Sequence, residues 1–467
     1  MNEQNPQREP SIFERIRNQL TPEGAPVDDR GRMRMVVDSL VLHIHPAKVE
    51  VSSMKWTYTW GLGGLSALLM TVLGLTGIAL LNNYTPAAPQ AYLDILEINS
   101  NVWFGELIRN LHHWSANLLI VVAVLHLVRV FSTGAYRPPR ELNWLIGIAM
   151  LLLVLGANFT GYLLPWDQLA YWAITVGTSI ISYVPLIGEA LSRLVLGGPE
   201  VGANTLLNFY SMHISFIPLA IFGLMSYHFW RVRKDGGLTL PKSANEAVDA
   251  SPKVERVTTI PYLVNREAIF AIAWSAALLI FAMFFPAPLE GIANPALSPN
   301  PAKAPWYFMG LQELLLHFHP LVGAIVLPSL ALMGIFLLPF FDLNSASVGV
   351  YFRSKRGRSL VLLAIGAALI ATPLWVLLDE YVLHWNAWLP AWDTLLSNGF
   401  IPLAVILLPL ILLDDWAHKS LGADTEERVL FIASFLFVAF IVLTLIGIFF
   451  RGPGMSLYFP WAMPAAH

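Results

Sequence analysis

The chain has 467 residues, of which 56% are hydrophobic and only 13% charged, and its mean hydropathy is +0.60. A soluble protein of this length has no core large enough to hide so much apolar surface, whereas a bilayer does. The 28 Lys and Arg nearly balance 31 Asp and Glu, which leaves no electrostatic footprint for a nucleic acid. The absence of cysteine excludes disulfides, cysteine-ligated iron–sulfur clusters and thioether-linked haem within this polypeptide, so any metal cofactor is held by His, Met or carboxylates.

Residues 1–55 mix Pro, Arg, Glu and Gln with no early apolar core, which is unlike a signal peptide. Within them Ile12, Phe13, Ile16 and Leu20 recur at helical spacing with charges opposite, a pattern that suits a helix lying on a membrane surface or on a partner equally well. Mostly apolar stretches then recur near 58–81, 111–131, 142–164, 209–230, 268–285, 321–341, 359–378, 400–413 and 429–450. Each approaches the roughly 20 residues that a spanning helix needs, except the short stretch at 400–413. Residues 167–198 are amphipathic and broken by Pro185, and are expected to form helices lying along the surface. Nine crossings leave only Arg109, Arg193, Lys303 and Arg451 of the 28 Lys and Arg on one side, and the other 24 opposite. The positive-inside rule then predicts a cytoplasmic N-terminus, or its equivalent.

The second and fourth spans carry the histidines that matter. His112 and His126 are 14 apart on the second, about 40° apart in phase and about 21 Å apart in height; His213 and His228 are 15 apart on the fourth, about 60° and about 22 Å. Both spans start on the charge-poor side and run parallel, so His112 faces His213 and His126 faces His228. Two haems with both axial positions filled by imidazole transfer electrons and leave no open iron site. A single intramembrane His bonded to a carbonyl is common, but four at two matched levels fit that reading poorly. His113 is out of phase by about 140° with His126 and is read as structural. Gly63 and Gly77 on the first span and Gly147 and Gly161 on the third repeat the interval of 14. They are expected to admit a flat macrocycle, with small-residue helix packing as the alternative. Arg109 and Arg129 near the ends of the second span are expected to pair haem propionates, with membrane anchoring an alternative for Arg129.

These residues resemble the cytochrome b family, and its chloroplast-type branch more than its mitochondrial one. The likeness lies in Arg109-Asn110-Leu111-His112-His113-Trp114-Ser115-Ala116, Pro139-Arg140-Glu141-Leu142, the run from Gly161 to Gln168, and Phe209-Tyr210-Ser211-Met212-His213. It includes the interval of 15 on the fourth span, where mitochondrial-type proteins have 14. The second half resembles the separate subunit four of the chloroplast-type complex, fused here to the first. The implied fold is an all-α integral membrane protein, a four-helix dihaem bundle followed by about four to five further transmembrane helices. The expected units are a cytoplasmic N-terminal segment (1–57), the dihaem domain (58–232), a cytoplasmic linker (233–266), the subunit-four-like domain (267–384) and an extra transmembrane extension (385–467). The extension's closing aromatic residues, Tyr458 to Trp461, read first as an interfacial anchor, with docking of a partner subunit the alternative.

The resemblance implies a quinol-oxidising subunit with two non-covalent b-type haems and quinone or quinol as substrate. Its implied setting is membrane lipid, a Rieske iron–sulfur protein, a c-type cytochrome and a second copy in a homodimer. The quinol pocket would be built from Pro165, Trp166 and Asp167 with Pro305, Trp306 and Tyr307. One electron would leave to the Rieske protein, and the other would cross to a quinone-reducing site, coupled to proton translocation. Two positions depart from the family. The proton-accepting glutamate of its Pro-Glu-Trp-Tyr motif is Pro305 here, and Glu313, with Tyr307 as hydrogen-bond partner, is expected to replace it; Glu290 is the competing acid. The cysteine that links an extra haem in the chloroplast-type proteins aligns with Gly61, so no cysteine-linked haem is expected. The alternative function is a dihaem membrane anchor without bifurcation.

Overall fold

The computed structural model describes residues 11, 13, 14, 16, 46, 48–240, 255–341 and 348–464. The surface helix expected over residues 11–20 lies largely outside them, as does the middle of the linker. Among the described residues nine helices are long and apolar enough to cross a membrane. In hydrocarbon no water is at hand for a free amide or carbonyl, so an apolar run of this length must satisfy its backbone within a helix.

A two-stranded antiparallel ribbon, β1 (Lys48–Glu50) with β2 (Arg256–Thr258), ties the N-terminal segment to the head of the fifth span. The first half contains α1 (Leu62–Leu81), α2 (Gln90–Ser100), α3 (Gly105–Ser132) and α4 (Glu141–Tyr162), then α5 (Gln168–Ile181), α6 (Gly188–Leu196) and α7 (Ala203–Lys234). The other half contains α8 (Thr259–Phe284), α9 (Met309–His317), α10 (Leu321–Phe340), α11 (Lys355–Tyr381), α12 (Leu396–Leu421) and α13 (Thr425–Phe449). Helices α2, α5, α6 and α9 are too short to span; α5 and α6 are the helices expected over 167–198.

The eighth span is longer than its apolar stretch. It continues through Asp414, Asp415 and Lys419, where Arg428 pairs with Asp414 and Lys419 with Asp415. A helix continues past the hydrocarbon boundary when its charged turn meets water or a partner, so hydropathy alone undercounts its length.

The core of the first half lies midway along the bundle, where Leu65, Leu69, Leu119, Ile120, Ile217 and Ile221 are buried together. The second half packs differently. Ala364 and Ala368 on α11 face Phe431 and Phe435 on α13 in one buried cluster. Small residues on one helix admit large rings from the next, which brings the two backbones close. Ala368→Leu is therefore expected to overpack this seam and lower stability by about 1–3 kcal/mol, read as a drop in the thermal unfolding midpoint of the detergent-solubilised protein.

Candidate functional site

Helices α3 and α7 bring the four histidines into two facing pairs. The ring centroids of His112 and His213 are 6.2 Å apart with planes at 70°; those of His126 and His228 are 6.5 Å apart at 76°. The interval of 15 on α7 costs no alignment, because Met212–Phe216 forms a π-turn in which the amide of Ile217 donates to the carbonyl of Met212. A π-turn inserts one residue into an α-helix. The extra residue is absorbed there, and His213 and His228 stand in the phase of a 14-residue α-helical interval rather than about 60° apart.

Hydrogen bonds set the tautomer of one pair. The Thr76 hydroxyl donates to the Val72 carbonyl at 2.7 Å and lies 2.9 Å from His112 Nδ1. With its proton committed, its oxygen accepts, so His112 carries its proton on Nδ1. His213 Nδ1 lies 2.9 Å from the Ala157 carbonyl, an acceptor only, and 3.3 Å from Thr160 Oγ1. Both imidazoles are thus left with an unprotonated Nε2, the form that ligates a metal, with Nδ1–H held by an outer oxygen.

The glycines match the histidines one to one. A Cβ on Gly77 would meet the His112 ring at 3.3 Å, on Gly63 that of His126 at 3.4 Å, on Gly147 that of His228 at 3.7 Å, and on Gly161 that of His213 at 2.5 Å. The feature seated on each glycine in this structure is an imidazole edge, a partner that the spacing of the glycines did not reveal.

A metal held from opposite faces by two imidazoles at about 2.0 Å per bond, with each ring centre ~1.1 Å behind its nitrogen, would separate the ring centres by roughly 6.2 Å. Both pairs fit that spacing.

The sequence profile described as Cytochrome b(N-terminal)/b6/petB matches residues 117–292. The menaquinol:cytochrome c reductase cytochrome b subunit of Geobacillus thermodenitrificans is 39% identical over 211 residues, 45% of this chain and 94% of that protein. The cytochrome bc complex cytochrome b subunit of Chlorobaculum thiosulfatiphilum is 35% identical over 300 residues, 63% of this chain and 68% of that protein. The chain belongs to the cytochrome b family. Its fold matches a solved chain titled Hyperthermophilic respiratory Complex III with a TM-score of 0.61 at 22% identity, over 90% of this chain and 98% of that one. Membership of the cytochrome b family implies b-type haem.

The two arginines differ. Arg109 donates to the carbonyls of Ala287 at 3.0 Å and Pro288 at 2.6 Å, so it holds the loop after α8. Arg129 donates from Nε to the Tyr58 carbonyl, lies over the Tyr58 ring, and keeps a buried Nη2 with no hydrogen-bond partner. That free donor suits a propionate.

The segment at 165–168 is pinned by the strap that follows α8. Trp166 is buried in a left-handed conformation (φ 52°). The Asp167 carboxylate caps α5 through the Ala170 amide at 2.8 Å and accepts the Glu290 amide at 3.0 Å. Burial raises the Asp167 pKa against these bonds and the Arg109 charge; burial and Asp167 raise that of Glu290. Pro305 and Tyr307 are buried, and the Trp306 indole N–H donates to Asn117 on α3. The two segments meet through α4, where Phe159 packs on Phe308 at 5.7 Å.

The hydrogen bond expected between Tyr307 and Glu313 does not form. The Tyr307 hydroxyl has no partner, and burial, with the nearby Tyr162, raises its pKa. Both oxygens of the fully buried Glu313 lie on Arg451, at 2.9 and 3.0 Å. Arg451 also donates to Glu380 at 2.9 Å and to the Met455 carbonyl at 2.8 Å. It is itself 1% exposed and is no part of an interfacial anchor, whereas Phe459 and Trp461 stack and are exposed. His317 Nδ1 lies 2.8 Å from Asp379, and its Nε2 lies 3.3 Å from Arg451 Nη2 and 3.5 Å from Glu313. Burial pushes the Glu313 pKa up, but the bonds from His317 and Arg451 outweigh it and hold the carboxyl below its usual value. Burial likewise opposes a charged His317, but the bonds to Asp379 and Glu313 outweigh it and raise its pKa.

Sequence reasoning missed Thr76, Thr160, Asn117 and Arg451. Two had a signal: a Thr-Gly pair stands at 76–77 and again at 160–161. Arg451 had a weaker one, as a lone charge at the end of a long apolar run.

Two outcomes follow. Gly161→Ala is expected to displace the His213 ring, which its Cβ would meet at 2.5 Å, and so to weaken the b-type haem absorbance of the purified protein, whereas Gly147→Ala, with 3.7 Å to His228, leaves it unchanged. Arg451→Met strands Glu313 as an unpaired buried charge, and is expected to cost about 3–5 kcal/mol in thermal unfolding.

Proposed function

We propose that the chain is the cytochrome b subunit of a quinol-oxidising complex of the bc or bf type. Two haems sit between His112 and His213 and between His126 and His228, and a quinol pocket lies between residues 165–167 and 305–307. The observation that carries this reading is the two pairs of facing imidazoles, at 6.2 and 6.5 Å, stacked on two parallel helices. When bound, the haems supply one-electron transfer. The chain's part is to hold Nε2 free of a proton, exclude water from both levels and keep them in line across the hydrocarbon.

By alternation of the nine spans, the His112 level, Asp167, Tyr307 and Glu313 share one membrane side, opposite the arginine-rich side. Quinol oxidised there gives up two electrons and two protons. A haem held by His112 and His213 would supply the route by which one electron crosses toward a quinone-reducing site; the other would leave to a high-potential partner, a Rieske iron–sulfur protein backed by a c-type cytochrome. The names of the Geobacillus and Chlorobaculum relatives, a menaquinol:cytochrome c reductase subunit and a cytochrome bc complex subunit, favour a multi-subunit setting, and the chain is read as forming a homodimer there. The cytoplasm takes the N-terminus. No cysteine is available for a linked third haem. Arg129, through its free Nη2, pairs a propionate, and Arg109 shapes the pocket side through the loop it holds. The extension from residue 385 supplies the buried Arg451.

Addition of quinol to the purified complex, with and without an oxidant, tests the reading. Two b-type signals of different potential, with reduction enhanced by the oxidant, are expected. Reduction that ignores the oxidant would instead mark a dihaem anchor with a single quinone site, and absence of haem would defeat both.

A further inference from the structure

The buried cluster at the end of α9, α11 and α13 has more negative charge than its arginine neutralises. Three carboxylates, Glu313, Asp379 and Glu380, surround Arg451. The remaining titratable member is His317, and Lys303 lies nearby with its ammonium on the Ile448 carbonyl at 3.0 Å. The Trp385 indole donates to Asp379 at 3.0 Å. With His317 neutral, the five side chains of the cluster proper sum to two negative charges; with His317 protonated, to one. A low-dielectric site therefore favours one extra proton.

His317 can take and lose that proton without stranding a polar atom. When neutral, its Nδ1–H donates to Asp379 at 2.8 Å and its Nε2 accepts from Arg451 Nη2 at 3.3 Å. When charged, Nε2–H turns its bond to Glu313 at 3.5 Å. A buried polar group left unpaired in one of its two states would cost free energy each time it switched; here both states are paired. Exposure rises along the cluster in order, with side-chain values of 0% for Glu313, 2% for His317, 11% for Asp379 and 27% for Glu380.

The inner end adjoins the quinol-side loop. Gln312, next to Glu313, accepts from the Ala304 amide at 2.7 Å and donates to the Ala302 carbonyl at 2.8 Å, which fastens the segment leading to Tyr307 onto α9. Tyr307 and Glu313 are six residues apart in a helical run, about 9 Å.

We propose that Glu313, His317 and Asp379, clamped by Arg451, form a proton-holding chain that carries a quinol proton from the 304–307 loop to the aqueous rim of the membrane. The proposal rests on the quinol-oxidising reading. Arg451 keeps Glu313 ionised, so the proton resides on His317 and not on Glu313. A proton arriving at Nε2 displaces the Arg451 bond, and the proton on Nδ1 leaves to Asp379 and then to water at the end of α11. Electrons do not pass through these side chains, which hold and move protons only.

The test compares wild type with His317→Gln and Asp379→Asn in the intact complex. Haem reduction after a quinol pulse and proton release into the medium are followed together across pH. Asp379→Asn keeps the side chain's shape and one acceptor oxygen, so it reports even if His317→Gln fails to fold. The expected result is two haem signals in Asp379→Asn, with reduction slowed about 10²-fold and proton release lagging behind it. Loss of the Asp379 anion removes a charge that holds the His317 pKa up. The rise of rate with pH should therefore shift to lower pH. A wild-type rate, pH profile and release time in Asp379→Asn would overturn the relay and leave a static staple. A wild type without oxidant-enhanced reduction would overturn the quinol reading, and the relay with it.

Discussion

Two parallel helices must hold two pairs of imidazoles opposite one another through about 20 Å of hydrocarbon, where a misaligned polar ring finds no water to accept it. Much of the first half answers that constraint. The flanking helices α1 and α4 carry glycines where the rings lie against them. The pair nearer the charge-poor side has its Nδ1 protons anchored on threonine and carbonyl oxygens of those helices. Apolar side chains fill the height between the levels. The π-turn at Met212–Phe216 belongs to the same solution: it stores one residue where the chain has one too many.

The second half meets the same scarcity of water with charge. Arg451 reaches in from the end of the last span and gathers acids from α9 and α11. An arginine so deeply buried is tolerable because its fork meets a carboxylate face to face and its other donor meets a second acid and a carbonyl. The extra extension is thus more than an added anchor. It supplies the cation that keeps Glu313 ionised, on the side where Pro305 stands in place of the family's acid.

Legibility followed the range of the physics. The nine spans, the four histidines and the four glycines could be read because apolar runs and helical phase are local, and they survive without knowledge of neighbours. The π-turn was invisible for the opposite reason. A phase calculation assumes a regular α-helix, and only the packing of His213 against α4 shows where the regularity breaks. Glu313 was picked out as an acid in an apolar stretch, but its partner was not, since Arg451 is 138 positions away and no periodicity connects them. Asn117 was passed over because an asparagine on a spanning helix gives no hint that a tryptophan from another half will seek it. Asp167, chosen as a pocket residue, is engaged in capping α5 and holding the strap after α8.

By itself, then, the amino-acid sequence determined the compartment, the number of spans and the histidine ladder, because transfer of apolar surface into lipid and the pitch of a helix depend on composition and spacing alone. Only the tertiary structure decided which groups those side chains meet. Hydrogen bonds and ion pairs are short-ranged and directional, so whether Glu313 faces Tyr307 or Arg451, and whether Arg109 faces a propionate or a loop carbonyl, is settled by helices brought together from distant parts of the chain.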